Sequence, residues 1–143
     1  MKTEDKKLLL QDLCGRLPYN VKCFYFDTLG NKRIDVLNAV FPNDERILVG
    51  NCSIDYSDSD TLGVMPYLFP LSSMTEEQYE EFIRVSGWDG DIEDIKRGKF
   101  SCIGYIGLDY IYDTIDWFVK NHFDWRGLIP VGLANDATGL NIY

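Results

Sequence analysis

Histidine is almost missing from this sequence: among 143 residues there is one, His122. That scarcity removes metal sites built on paired imidazoles and leaves a single residue on which any histidine-based catalytic dyad could be centred. Cationic side chains are also in the minority, 14 against 23 carboxylates, for a net charge of −9. A phosphate backbone is held by cations that replace its counterions, so direct nucleic-acid binding is not expected. No apolar run approaches the ~20 residues that span a bilayer, so no membrane partner is expected either. Cys14, Cys23, Cys52 and Cys102 stand far apart with no C-x-x-C pair, and they read as reduced, mostly buried thiols rather than metal ligands. The opening MKTEDKKLLLQDL mixes charges of both signs before a short apolar stretch, unlike a secretory leader, and the expectation is a cytoplasmic protein.

Cofactor loops are lacking too. RGKF (97–100) has no glycine four residues ahead of its Gly-Lys, and GYIG (104–107) lacks the three-glycine spacing of a dinucleotide fold, so no cofactor is expected. G-x-S-x-G and H-E-x-x-H do not occur.

What is present is enough apolar material for one folded domain over 1–143: 45% of residues are hydrophobic and 14% aromatic. A first helix is expected over TEDKKLLLQDLCGRLP, with Thr3 as N-cap, Leu9, Leu10 and Leu13 on its inner face, and Gly15 and Pro18 as stops. VKCFYFD, the turn TLGNK and RIDVLNAVF read as a hairpin, and RILVGNCSIDY as a third strand with a bulge at Gly50. The prolines of VMPYLFPLSSM predict a sheet edge or an irregular connector.

MTEEQY carries a capping box, in which Thr75 and Gln78 satisfy each other's amides and Met74 staples onto Tyr79; the helix it opens presents Tyr79, Phe82 and Ile83 and ends at Gly87. WDGDIEDIKRGKF reads as a mobile surface loop and SCIGYIGL as a further strand near 101–107. DYIYDTIDWFVKNH predicts a helix with Ile111, Ile115, Phe118 and Val119 inward, followed by a tail of short turns. The fold class is therefore α+β: a small, bent, mostly antiparallel sheet formed by about residues 20–65, with about three helices packed on it.

The candidate binding residues lie in DWFVKNHFDWRGLIP (116–130): His122, Asp124, Trp125, Arg126 and Gly127. His122 falls at a helix end, where a donor side chain can satisfy the last carbonyls. Asp124 is placed to cap the next turn through the amides of Arg126 or Gly127, leaving Arg126 to pair with a carboxylate or bind an anion. As a catalytic set, His122 would need Asp124 and a nucleophile such as Ser101 or Cys102 beside it, with Arg126 holding an anionic substrate; no residue is assigned as catalytic. Two acidic clusters, Asp55/Asp58/Asp60 and Asp89/Asp91/Glu93/Asp94, invite calcium, but the second puts Asp94 and Phe100 where an EF-hand loop needs glycine and glutamate, so no metal site is assigned.

Three phrases in order, LLLQDLCGRLPYNVK (8–22), PYLFPLSSMTEEQ (66–78) and NHFDWRGLIPVGLANDAT (121–138), resemble a family of short proteins encoded by gut-dwelling anaerobic bacteria and by their prophages and phages. The resemblance is best around Asp124, Arg126 and Gly127, and departs where the family carries a basic residue at Phe69 and charged ones at Pro130 and Val131. With no activity assigned to the family, it implies a setting and not a reaction.

The functional expectation is a small accessory protein that binds another protein through an acidic, aromatic surface. The alternatives are a hydrolase using His122, Asp124 and Arg126, and an acidic mimic of nucleic acid that occupies a nucleic-acid-binding protein.

Overall fold

The computed structural model of the chain describes residues 3–57, 62–97 and 106–143. The expected α+β architecture is what forms, and the chain condenses into two compact units. The first comprises Met1–Tyr67, Leu133–Asn135 and Asn141–Tyr143, and the second Leu68–Gly132 and Asp136–Leu140.

The strands are β1 (Lys22–Phe26), β2 (Lys32–Phe41), β3 (Arg46–Val49), β4 (Cys52–Asp55), β5 (Val64–Leu68) and the two-residue β6 (Asn135–Asp136), with burial alternating along β1, β3 and β4. Their order is β4-β3-β2-β1-β5-β6, and β1 to β5 pair antiparallel with their neighbours. RILVGNCSIDY is not one bulged strand. Gly50, at φ 55°, turns the chain between β3 and β4 in the left-handed region that favours glycine, and a Cβ there would press on the Asp35 carboxyl. The irregularity in register falls instead in β2, between Leu37 and Ala39. The proline-bearing segment was expected at an edge or as a connector. It forms β5, an inner strand by order, whose outer neighbour β6 is only two residues long.

Helix α1 (Thr3–Arg16) runs through Gly15, and Pro18 falls in the 3-10 turn Leu17–Tyr19 that follows. Its inner face is Leu9, Asp12, Leu13 and Arg16, the i, i+3, i+4, i+7 stripe, and Leu10 is only half-buried. Two charged residues thus enter the core together. Arg16 Nε donates to Asp12 Oδ2 at 2.6 Å and Nη2 to Oδ1 at 3.2 Å, a two-pronged pair that keeps both charges hydrogen-bonded away from water. The thiols divide by position: Cys23 is buried in β1, where desolvation pushes its pKa up, while Cys14 is exposed on α1, contrary to expectation. Cys102 lies outside the described residues.

The second unit contains α2 (Glu76–Ser86), the single turn α3 (Ile92–Ile95) and α4 (Leu108–Lys120). The capping box forms as read: Gln78 N donates to Thr75 Oγ1 at 3.2 Å, and Thr75 N to Gln78 Oε1 at 2.9 Å. Gly87, at φ 68°, closes α2 by donating its amide to Ile83 O. Ile83 itself is exposed, because Phe82 and Ser86 define the buried line. The stretch expected as a mobile loop is tethered through residue 97: Asp91 caps α3, and Trp88 and Ile95 are buried in the aromatic core with Phe82, Trp117, Phe118 and Phe123. On α4 the buried line is Thr114, Trp117, Phe118 and Val119, rotated from the expected one, with Ile111 and Ile115 half-buried. Ring spacings of 5.7 Å for Phe82–Trp117 and 5.5 Å for Trp117–Phe123 show α2, α4 and the residues after α4 sharing one packed cluster. The strand expected near 101–107 falls mostly outside the described residues; Ile106 is buried, and Gly107 precedes the first turn of α4.

The buried pair in α1 makes a direct prediction. Arg16→Ala leaves the Asp12 carboxylate without its guanidinium and should lower unfolding free energy by about 3–5 kcal/mol. The double replacement Asp12→Leu, Arg16→Met should recover most of that loss in a urea titration.

Candidate functional site

The end of α4 fixes the segment that sequence reasoning singled out. His122 lies at φ 61°, the left-handed region, directly after Asn121. Its amide donates to Val119 O at 3.1 Å, and the amide of Phe123 donates to Phe118 O at 2.9 Å. This is the Schellman arrangement, completed by the apolar contact it calls for: the rings of Phe118 and Phe123 meet edge to face at 6.5 Å. Trp117 O accepts both the amide and the side-chain Nδ2 of Asn121. The last carbonyls of α4 are therefore closed by backbone amides and by Asn121, and His122 contributes a backbone conformation that glycine adopts more readily.

Beyond the turn the chain pairs with Phe69. Phe69 N donates to His122 O and Asp124 N to Phe69 O, each at 2.8 Å, making a parallel bridge between Phe69 and Phe123. Asp124 is buried, and it does cap the following turn, but two residues further on than expected. Its Oδ1 accepts from Leu128 N at 2.7 Å and its Oδ2 from Ile129 N at 2.8 Å. Arg126 lies over the ring of Trp125, 4.4 Å from its centroid, so guanidinium and indole stack. Gly127 takes φ 75° and lets the capped turn close. The five candidates are thus brought together by backbone hydrogen bonding. Ser101 and Cys102, the nucleophiles a hydrolase would need, lie outside the described residues.

A hollow of about 210 Å³ opens beside this segment, lined by Phe69, Phe123 and the polar side chains of Ser73, Thr75, Gln78 and Thr138. His122, Asp124 and Arg126 do not line it. In the first unit a hollow of about 400 Å³ is walled by Tyr25, Asp35, Cys52 and the Asp27–Arg33 ion pair. There the Asp27 carboxyl is held below the usual carboxylate range by the Asn31 amide and then by Arg33. Cys52 lines this second hollow with no histidine beside it.

The third recess was not anticipated. Between α2 and α4 a groove of about 230 Å³ has Val85 and Trp117 on its apolar side and Glu81, Asp113, Asp116 and Lys120 around them. Elsewhere on the same helix, Leu108 and Tyr112 are more than 80% exposed and one turn apart, while Asp109, Asp113 and Asp116 follow the adjoining stripe. The signal was legible: carboxylates at i, i+4 and i+7 beside an outward Leu/Tyr pair describe a helix with a second, solvent-facing stripe. Three carboxylates against one lysine beside the partly exposed Val85 can receive a cationic side chain with its head among the acids.

The acidic clusters considered for calcium serve local structure. Asp55 Oδ1 accepts from both the amide and the hydroxyl of Ser57, Asp91 caps α3, and Asp94 meets Arg97 at 3.3 Å. Asp58 and Asp60 lie outside the described residues, and among the described residues no cluster of three potential ligands forms.

In comparisons with known proteins, the chain matches no family model, no curated protein and no solved structure.

His122→Gly should leave stability unchanged or raise it by up to about 1 kcal/mol, since a left-handed turn penalises any Cβ by about that much. Asp124→Ala should cost about 2–3 kcal/mol by stranding two amides. Urea midpoints of the two variants compare these effects; a large loss for His122→Gly would show that the imbalance runs the other way and that the imidazole itself carries the turn.

Proposed function

We propose that this chain is a small accessory protein that acts by holding a partner protein, and that a basic segment of that partner seats in the groove between α2 and α4. The observation that carries the reading is the groove's composition: Glu81, Asp113 and Asp116 line it with Val85 and a single lysine, on a helix that also exposes Leu108 and Tyr112. Apolar side chains in water beside concentrated charge of one sign are what an interface leaves when its partner is absent. The partner's chemistry follows by complementarity: lysines or arginines spaced along a helix or strand, with at least one apolar anchor. The setting that the resemblance implies, a mobile-element protein working in the cytoplasm, is part of the same proposal.

The mimic of nucleic acid is a second reading supported by one particular feature, the line of Asp109, Asp113 and Asp116 along an exposed helix face. It shares the partner's chemistry and differs in what the partner otherwise binds. The hydrolase reading draws no comparable support from the turn that holds His122 and Asp124.

A labelled lysine/leucine-patterned helical peptide should bind the chain, weaken as salt is raised, and lose at least about tenfold in affinity with the combined Glu81→Gln, Asp113→Asn, Asp116→Asn change. Equal binding by that variant would remove the groove from the interface. Competition by the chain for the same peptide held on duplex DNA separates mimicry from simple docking: Asp109→Asn should weaken displacement only if the carboxylate line is what the peptide reads.

A further inference from the structure

We propose that a second copy of this chain is an occupant of the acidic groove, presenting to it the outer face of the β1–β2 hairpin. For the groove this rests on the function proposed above; the hairpin face stands on separate observations.

Side chains alternate across a strand, so Lys22, Phe24 and Phe26 share one face of β1, while Cys23 and Tyr25 point to the buried side. Register then brings Val36, Ile34 and Lys32 of β2 opposite Lys22, Phe24 and Phe26. Met65 of β5 lies against Phe24 from the other side. The result is an apolar surface in which Phe26 is 57% and Ile34 44% exposed, with a lysine at each end. Phe24 and Phe26 meet edge to face at 5.0 Å, and Lys32 Nζ lies 4.8 Å from the Phe24 ring centroid, so the surface is preorganised. The loop beyond it is tied as well: Asp27 Oδ1 accepts from Leu29 N and Asn31 N, and Asp27 Oδ2 from Arg33 Nε.

Charge chooses the occupant. In a chain of net charge −9, the registered positions of this face hold two lysines and no carboxylate, whereas the α2–α4 groove holds three carboxylates and one lysine. Like faces repel, and unlike faces match in both sign and apolar content, so the contact joins the hairpin of one copy to the groove of another. The sheet face leaves Phe26 and Ile34 in water, and the contact would cover them.

Sedimentation velocity on the full chain over a wide concentration range tests this. Association should appear at low salt and weaken at high salt. Lys22→Glu with Lys32→Glu, and separately Asp113→Lys with Asp116→Lys, should each weaken it at least about tenfold, and an equimolar mixture of the two variants should associate again because each supplies the face the other needs. Phe26→Ser, at an exposed position, should weaken association without altering charge. A chain that is monomeric throughout, or variants that stay monomeric when mixed, would overturn the inference. So would association lost through the hairpin variant but kept by the groove variant, since that result pairs like faces. Binding of the basic peptide by a strictly monomeric chain would leave the proposed function standing and remove only the self-association; loss of both would remove both.

Discussion

The second unit turns on a reversal of direction at the end of α4. The helix must stop, satisfy its last carbonyls, and send Phe123 back onto Phe118 and Trp117 while delivering Asp124 to Phe69. A left-handed residue at position 122 meets these demands together, because it lets its own amide reach back to Val119 O and that of Phe123 to Phe118 O. The aromatic cluster, the parallel bridge and the buried carboxylate of Asp124 all follow from where that turn puts the chain. The backbone of the one histidine carries this geometry.

The same economy governs the acids. Asp12, Asp27, Asp55, Asp91 and Asp124 each bind backbone or a nearby side chain: Asp12 inside the α1 core, Asp27 and Asp55 in turns, Asp91 ahead of α3 and Asp124 ahead of the turn that follows α4. An acidic composition thereby resolves in part into carboxylates used in folding. Glu81 of α2 and Asp113 and Asp116 of α4 line one groove, and there the sum of charge becomes a surface with a direction. The lysine-rimmed hairpin is its counterpart in the first unit.

Local chemistry was readable wherever one short stretch contained all the partners. Thr75 and Gln78 cap each other within four residues, Gly87 ends α2, and the alternation of VKCFYFD and RIDVLNAVF gives β1 and β2. Readings failed where a long-range contact chose among options that the local pattern left open. Gly50 could bulge or turn, and the position of Asp35 across the sheet settled it. WDGDIEDIK looked like solvent-exposed loop because its two anchors, Trp88 and Ile95, are few among many charges, and their burial depends on the rings supplied by α2 and α4.

By itself, then, the sequence determined the fold class, the main strands and helices, the caps and the sign of the charge, since these depend on residues within a few positions or on composition. Only the tertiary structure decided that Arg16 and Asp12 enter the core as a pair, that Asp124 reaches Leu128 and Ile129, and that Glu81 comes beside Asp113 and Asp116. The first and the last of those outcomes depend on which helical stripe is turned inward. That choice is made by the summed packing of residues distant in the chain, and a rotation of one position is enough to exchange the core for the surface.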